Sequence, residues 1–457
     1  MSQISHIKYK DVIKAWRFDA NFFKPEYLSL REKINNIKND KIISFLSNDK
    51  VITWHTPSKQ NEKFYWWNIK FIKTDNLREN YINHNFDDYL SEQWNEEIKA
   101  SQLKQWDIIV TIIWASEKVV WRVSIVREED LPANINQNIA LIRVNPEKIN
   151  PDLLNIYLNC KYWRGYLHSL SRQTEQVNLN CREVERVLVP IFSKEIQQKI
   201  SEIVQEAYDK KQKSKQLYQE AEDLLLIELW LKNHEISHTL FFLTTKKGID
   251  NAWRYDADYF QPKYDELIKK IKDYKWGRDF LINCINIHDK NFIPKIWNLY
   301  KYIALSNISE QWFIPDYEES YWEELPTRAR RLLKQWNVII SSVEGSLPSC
   351  AMIENEFDGT LCSNWFYVLD SEIINSECLL VLFKSSIIQA LLKKWCSWTI
   401  LASISKDELN KVPIPLIDQK IQKEISNKIK ESFKLRNESK ELLEQAKKMV
   451  EDEIERE

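Results

Sequence analysis

Three short motifs carry residue types that could support catalysis, but none has the partners that such chemistry needs. Glu97-Ile98-Lys99 supplies the Glu-x-Lys part of a nuclease signature, yet no Pro-Asp pair precedes it at a suitable distance. Ser101 and Lys104 match the Ser-x-x-Lys spacing only, and His288-Asp289 is a single pair without further metal ligands. The chain also lacks a GxxxxGK[ST] phosphate loop and the Pro-Pro pair of an amino-methyltransferase motif. The sequence therefore favours recognition over catalysis.

Polar side chains in the first half could instead contact nucleic acid. Amides, hydroxyls and guanidiniums bind base edges, while Lys and Arg bind phosphates. The candidates are Arg164, His168, Arg172, Gln173, Gln176 and Asn178 in and before a polar loop, His55, Thr56, Ser58 and Lys59 in a turn-rich stretch, and Lys73 and Thr74. The alternatives are an ordinary polar connector for the first group and solvent loops with a helix-capping Ser or Thr for the others. Residue types alone leave both open.

The chain contains an internal duplication. AWRFDANFFKPEYLSLREKI at residues 15–34 recurs as AWRYDADYFQPKYDELIKKI at residues 252–271. LKQWDIIV at Leu103 recurs as LKQWNVII at Leu333, and a VPI tripeptide precedes a long helical pattern at Val189 and again at Val412. Because the landmarks keep their order over a period of more than 200 residues, they indicate a duplicated domain and not a solenoid.

The duplication extends the candidate contacts to the second half. Places corresponding to the first-half candidates are occupied by Ser306, Asn307, Ser397 and Thr399, and a basic cluster is formed by Arg328, Arg330 and Arg331. A run of charges is more often a solvated face than a binding site, so that alternative stays open for the cluster.

Each half closes with a helix built to pair with another helix. In the first, apolar or small residues alternate in steps of three and four at Ile196, Ile200, Ile203, Ala207, Ser214, Leu217, Ala221 and Leu224. A weaker copy follows Val412. We expect these helices, which start near Ser193 and Asp418, to pair antiparallel, because a pseudo-two-fold arrangement exchanges the two halves.

The remaining segments mix strand and helix patterns. Runs of β-branched residues after each LKQW turn predict strands, Ile42–Ile52 is expected to form strand and turn, and Pro151–Leu170 is expected to be one helix. The sequence thus predicts an α+β fold with two similar domains, two long antiparallel helices and an internal pseudo-two-fold duplication.

Composition describes an ordinary globular chain of 457 residues with a net charge of −2. No apolar run reaches the roughly 18 residues that span a bilayer. Seven cysteines without a CxxC pair predict reduced thiols and a cytoplasmic location. The near-neutral charge neither announces nor excludes nucleic-acid binding, because acidic helices can offset a basic face.

The balance of tryptophan and glycine is abnormal. The chain has 19 Trp and 5 Gly, whereas average usage of about 7% predicts roughly 30 glycines. Many tryptophans, such as Trp106, Trp230 and Trp336, stand where turns and helix ends favour glycine. One hypothesis is that the gene uses UGA for glycine, so that UGG codons at Trp106, Trp121 and Trp336 would refute it. The alternative is a Trp-rich protein whose rings form cores or stack on bases.

Taken together, the motifs resemble the specificity subunits of type I restriction–modification systems over nearly the whole chain. The matching phrases are RFDANFF and RYDADYF, TPSK at Thr56, FIKTDNL at Phe71, YIALSNI at Tyr302, the two LKQW turns and the two VPI-to-helix transitions. The chain departs from the family chiefly at tryptophans that replace glycines near TPSK and in the LKQW turns.

The resemblance implies two target-recognition domains, at 1–190 and 236–415, separated by long spacer helices at 191–235 and 416–457. It implies a non-catalytic subunit for phage defence that reads a bipartite site in double-stranded DNA. Its partners would be DNA methyltransferase and restriction/translocase subunits, with no membrane. The chain would bind no cofactor directly, and S-adenosylmethionine, ATP and Mg²⁺ would belong to the partners. The alternative function is a coiled-coil scaffold that binds only proteins.

Overall fold

The computed structural model describes residues 6–15, 18, 20–54, 65–114, 122–170, 177–234, 236–295, 297–308, 313–315, 317–397 and 402–456. Its contacts divide the chain into two compact units, Met1–Lys210 with Asn437–Glu457, and Lys211–Arg436. Among the described residues, no helix is both long and apolar enough to cross a membrane.

The first unit contains twelve described strands and seven helices, together with parts of two long helices. The strands are β1 (Asn39–Lys41), β2 (Tyr65–Ile72), β3 (Leu77–Arg78), β4 (Tyr81–Ile82), β5 (Tyr89–Leu90), β6 (Ile108–Thr111), β7 (Ile113–Trp114), β8 (Val123–Ile125), β9 (Ala133–Ile135), β10 (Ile139–Ile142), β11 (Val177–Asn178) and β12 (Leu188–Pro190). The helices are α1 (Tyr9–Ala15), α2 (Pro25–Asn36), α3 (Ile42–Phe45), α4 (Glu92–Glu97), α5 (Pro151–Tyr157), α6 (Lys161–Leu170) and α7 (Cys181–Glu185).

The second unit contains ten described strands and six helices, together with parts of the two long helices. The long helix α8 (Lys194–Glu228) starts in the first unit and ends in the second, where α9 (Lys246–Ala252), α10 (Pro262–Lys272), α11 (Leu281–Cys284), α12 (Ser376–Lys384), α13 (Ser386–Trp395), α14 (Lys406–Leu409) and the start of α15 (Gln419–Arg456) follow. Its strands are β13 (Arg278–Phe280), β14 (Asn286–His288), β15 (Leu299–Ile303), β16 (Glu318–Tyr321), β17 (Ala329–Leu332), β18 (Val338–Ser341), β19 (Cys350–Met352), β20 (Leu361–Ser363), β21 (Phe366–Asp370) and β22 (Pro413–Pro415).

Corresponding strands pair in corresponding ways in the two units. The antiparallel sheet β10-β6-β8 has its counterpart in β21-β18-β19, and the parallel pair β2–β9 has its counterpart in β15–β20. A short strand that precedes the main sheets of each unit pairs with the strand before each long helix, as β1 with β12 and β13 with β22. The mixed helices and sheets confirm the α+β fold class, and the repeated pairing supports the internal duplication.

Side chains repeat along with the strands. Asn76 and Asn307 each accept a hydrogen bond from the backbone N–H three residues earlier, at 2.9 and 2.8 Å. Gln197 accepts a hydrogen bond from the backbone N–H of Asn150, which caps α5, and Gln422 accepts one from Asn375, which caps α12. Both bonds are 2.9 Å long. These repeated bonds fix turns and helix starts, so they belong to the scaffold that both units share.

Two expected elements differ from the structure. Ile42–Ile52 begins with the helical turn α3 and not with a strand, because Ile42 and Phe45 are both buried and stand three residues apart. The helix expected over Pro151–Leu170 is broken between α5 and α6. There the buried amide of Asn159 donates to the backbone oxygens of Asn155 and Val123, at 2.9 and 3.2 Å, which holds the turn that separates the two helices.

The long helices bury one stripe with a seven-residue repeat. In α8 the stripe consists of Ile200, Val204, Ala207, Ser214, Tyr218, Ala221 and Leu225. Four of the expected positions, Ile196, Ile203, Leu217 and Leu224, are only half-buried, and for the last three the following residue is buried instead. The stripe thus follows the alternating spacing of a helix pair more regularly than the sequence alone indicated.

Contacts within each unit show that the two helices run antiparallel. In the first unit Ser439 Oγ donates to the Ala207 oxygen at 2.6 Å, and Lys210 Nζ lies 2.8 Å from Glu438. In the second unit the two contacts are Ser432 Oγ to the Ser214 oxygen at 2.7 Å and Lys428 Nζ to Glu220 at 2.6 Å. In both units the residue number rises along one helix as it falls along the other, as expected.

Ser432 is buried where its backbone approaches that of Ser214, so a larger side chain has no room there. We expect Ser432→Leu to destabilise the second unit by about 1–3 kcal/mol through overpacking. Hydrogen exchange of amides around Ser214 measures this effect. The matched control is Glu431→Leu on the exposed side of the same helical turn, which should change stability by less than about 0.5 kcal/mol. Equal effects of the two changes would contradict the assignment of the buried stripe.

Candidate nucleic-acid interface

The basic cluster lies at the edge of the four-stranded sheet β16-β15-β20-β17. Arg328 directly precedes the edge strand β17, and Arg330 and Arg331 lie within it. The register against β20 shifts between Ala329 and Arg331, so this strand carries a β-bulge. Bulges redirect side chains and end regular pairing at sheet edges. The sequence-predicted cluster is therefore brought together on one irregular edge.

The three guanidiniums are held by uncharged partners. The Arg328 guanidinium lies 4.2 Å from the Trp365 ring centre, and that of Arg330 lies 4.9 Å from the Trp322 ring centre. Arg331 Nη1 donates to Asn291 Oδ1 at 2.6 Å. Within the part of the chain that the structure describes, none of the three forms an ion pair with a carboxylate. Three cations without a carboxylate partner favour an anionic ligand such as a phosphate backbone, although charges also protect exposed sheet edges from pairing.

The other candidates of the second half are separate from this cluster. Ser306 is exposed in a turn at residues 305–307 that follows β15, while the Asn307 side chain is used to accept the Ala304 N–H. Ser397 is exposed and donates its hydroxyl to the Ser403 oxygen at 3.1 Å. Thr399 lies outside the described residues. Ser306 and Ser397 thus offer accessible hydroxyls, whereas Asn307 has a structural role.

In the first unit, Lys73 and Thr74 lie in the turn that corresponds to Ser306 and Asn307. The ammonium of Lys73 pairs with the Asp88 carboxylate, and Thr74 is only 1% exposed. A buried hydroxyl does not reach a ligand outside the domain, so this placement favours the structural alternative for Thr74.

Arg164 lies on α6 and pairs with Glu79. Burial alone would raise the pKa of Glu79, but Arg164 and Lys447 outweigh it and hold that pKa below its ordinary value. Glu79 therefore stays ionised and neutralises part of the charge that Arg164 could offer to DNA. Arg164 remains about two-fifths exposed, so a contact with a ligand is still open to it.

Most of the first-half candidates fall where side chains are not described. His55, Thr56, Ser58, Lys59, Arg172, Gln173 and Gln176 lie outside the described residues. His168 lies on α6 and Asn178 on β11, but only their backbones are described. Because β11 pairs with β7, Asn178 is placed beside a strand of the same unit. Their roles in binding remain predictions.

The described residues offer no arrangement for metal or cysteine chemistry. No group of three or more His, Cys, Asp or Glu among them could hold a metal ion. All seven cysteines are free thiols, and six of them are buried. Burial raises the pKa of Cys160, Cys350 and Cys378 to about 12, which removes the thiolate that a nucleophile needs.

Comparisons with known proteins point in one direction. A scan against protein-family models gives no match. Among curated proteins, the chain is 28% identical over 142 residues to the specificity subunit of the type I restriction enzyme EcoBI from Escherichia coli. The chain resembles type I specificity subunits. The aligned region covers 31% of the chain and 28% of that relative, so it spans little more than a quarter of the relative's length.

Solved structures of specificity subunits are also similar. The subunit from M. genitalium is 12% identical, with 91% of this chain and 96% of the other covered at a TM-score of 0.40. The HsdS subunit from Thermoanaerobacter tengcongensis is 13% identical, with 91% and 95% covered at a TM-score of 0.30. At these identities and TM-scores no residue role is transferred, and the interface rests on the geometry described above.

Sequence reasoning missed the residues that hold the arginines in place. Asn291, which binds Arg331, stands in a polar stretch after β14 that offers no periodic signal. A further cation of this sheet was also missed. Lys301 lies on β15, and its ammonium is 4.6 Å from the Tyr317 ring centre. The alternation of lysine with tyrosines in β15 could have indicated it.

Proposed function

We propose that this chain is the non-catalytic DNA-recognition subunit of a type I restriction–modification complex. The observation that carries the proposal is the duplication of one α+β scaffold, with a long helix after each copy. A duplicated scaffold suits a bipartite site, because each copy can read one part of it. Target-recognition domains at 1–190 and 236–415, joined through the helices at 191–235 and 416–457, are part of this proposal.

The two copies keep their scaffold but differ on the surface, which supports reading two different half-sites. The capping residues Asn76 and Asn307 are the same, and so are Gln197 and Gln422. The basic edge strand β17 of the second unit, by contrast, stands where the first has a helical turn at residues 99–101. Different side chains on one scaffold give an asymmetric site, since base contacts specify sequence.

The proposed partners are methyltransferase and restriction/translocase subunits, and these would use S-adenosylmethionine, ATP and Mg²⁺. One described segment favours a protein partner over DNA. Leu240, Phe241 and Leu243 are 82%, 91% and 101% exposed. Apolar side chains of this kind mark contacts between proteins rather than with phosphates. The same segment would serve the alternative function, a scaffold that binds only proteins.

Selection from random DNA distinguishes the two functions. The purified chain, alone and with its methyltransferase subunit, is incubated with a pool of random duplexes, and the bound fraction is sequenced. We expect enrichment of one asymmetric site made of two short parts around an unread spacer. Salt should weaken binding, because phosphate contacts release counterions. A pool that stays random under conditions where the chain binds its protein partner would favour the scaffold.

A further inference from the structure

Five tryptophans of the described chain have a positive backbone φ, which the other described tryptophans do not have. Seven non-glycine residues there have positive φ, namely Asp49, Asn80, Trp106, Trp230, Trp253, Trp297 and Trp336. Asp and Asn tolerate this region through local hydrogen bonds, whereas a bulky side chain is strained in it. Two of the five glycines, Gly277 and Gly359, also occupy it. Tryptophan thus stands repeatedly where the backbone requires glycine.

The two LKQW turns show the requirement most directly. Asp107 N donates to the Lys104 oxygen at 3.1 Å, and Asn337 N donates to the Lys334 oxygen at 3.0 Å. Each turn places tryptophan third, with φ of 73° at Trp106 and 71° at Trp336. A positive φ at the third position alone defines a type II turn, which is built for glycine at that place. The same substitution at both equivalent turns indicates a systematic cause.

The end of α8 shows the requirement in a second setting. Trp230 N donates to the Ile227 oxygen at 3.0 Å, and Leu231 N donates to the Leu226 oxygen at 2.7 Å. These two bonds form a Schellman motif, in which the residue at positive φ is usually glycine. That residue is Trp230, with φ of 58°. The apolar contact of the motif comes from the buried Leu231, not from the indole.

Three of the rings gain nothing from burial to offset the strain. Trp230, Trp253 and Trp297 are 83%, 87% and 80% exposed. Trp253 ends α9 with φ of 50°, and Trp297 has φ of 68° in a turn closed by a bond of 3.3 Å from Asn298 N to the Lys295 oxygen. A large apolar ring in water on a strained backbone is disfavoured twice, so selection for tryptophan does not explain these positions.

We infer that residues 106, 230, 253, 297 and 336 are glycine in the protein that the source organism makes, because its ribosomes read UGA as glycine. The excess of 19 Trp over 5 Gly follows from the same cause. Backbone conformation extends to five positions what turn and helix-end patterns already indicated at Trp106, Trp230 and Trp336. From the sequence, a Trp-rich protein was the alternative. This inference is independent of the proposed function, because turn and helix-end chemistry does not depend on what the chain binds.

Peptide mass spectrometry of the protein purified from its source cells tests the inference. We expect the peptides that contain the five positions to have the mass of glycine, and the codons there to be UGA. Tryptophan in those peptides, or UGG at the five codons, would overturn it.

Substitution in the recombinant chain of the printed sequence gives a second test. Trp230→Gly and Trp336→Gly should each raise the midpoint of thermal unfolding by about 2–4 °C, since they relieve strain without removing core contacts. The matched control is Trp395→Gly, which removes a half-buried ring packed 5.6 Å from that of Tyr259 at the end of helix α13. That change should lower the midpoint. A fall in the midpoint for both Trp230→Gly and Trp336→Gly would contradict the inference.

Discussion

Replacing Arg328, Arg330 and Arg331 together by glutamine is expected to weaken DNA binding by roughly 10²-fold or more. The three guanidiniums lie on one sheet edge and, within the described chain, have no carboxylate partner. If each makes one contact worth about 1 kcal/mol, three lost contacts give this factor. Each lost phosphate contact should also reduce the salt dependence of binding by about one unit of slope. Fluorescence anisotropy with a cognate duplex at several salt concentrations measures both effects.

A charge-matched control removes three lysines from the same unit. Lys269, Lys270 and Lys272 lie in the last turn of α10, away from the sheet edge in sequence and fold. Their replacement by glutamine changes the net charge by the same amount, so it reports the general electrostatic contribution alone. We expect the fold-loss of affinity in the lysine variant to be less than a tenth of the fold-loss in the arginine variant. Equal losses would show that the cluster is only a solvated face, and normal binding by both variants would remove it from the interface.

Asp107→Ala should destabilise the first unit by about 3–5 kcal/mol, because it leaves a largely buried cation without its partner. The Asp107 side chain is 2% exposed and receives Arg143 Nε at 2.7 Å and Arg143 Nη2 at 2.6 Å. It also accepts the Lys104 N–H at 2.7 Å. Burial raises the pKa of the Asp107 carboxyl, and the Arg143 guanidinium opposes that shift. Hydrogen exchange in β6 measures the loss, which corresponds to faster exchange by roughly 10²-fold to 4 × 10³-fold.

The duplication supplies the control for this change. Asn337 occupies the equivalent turn and accepts the Lys334 N–H at 2.8 Å. Because that site involves no charge, Asn337→Ala should cost only about 0.5–1.5 kcal/mol, measured in β18. A loss as large as that for Asp107→Ala would mean that the turn, and not the ion pair, stabilises these domains.

Repeated and periodic features were predictable from the sequence because each follows a simple physical rule. The seven-residue spacing along α8 predicted a paired helix, and the β-branched runs after each LKQW turn predicted the central strands β6 and β18. Non-local contacts were not predictable in the same way. The parallel pairs β2–β9 and β15–β20 join segments some 60 residues apart, and the break at Asn159 depends on a carbonyl from β8.

The candidate interface was predictable only as residue types. Their closeness in the sequence identified Arg328, Arg330 and Arg331 as a basic cluster. The bulge that places them on a sheet edge arises from pairing with β20. Thr74 had the same polar character as Ser306, yet it is buried and Ser306 is exposed. The position within the turn accounts for this, because Ser306 aligns with the exposed Asp75 whereas Thr74 aligns with Leu305. Residue type alone does not reveal it.

The measurement that tests the central claim most directly is a genome-wide map of methylated adenines in cells with and without this gene. If the chain is the recognition subunit, one asymmetric bipartite motif should be methylated in the parent cells and unmethylated after deletion. The chain with all three cluster arginines changed to glutamine should fail to restore methylation, while the lysine control should restore it. An unchanged methylation pattern after deletion, in cells whose methyltransferase subunit is still produced, would contradict the account.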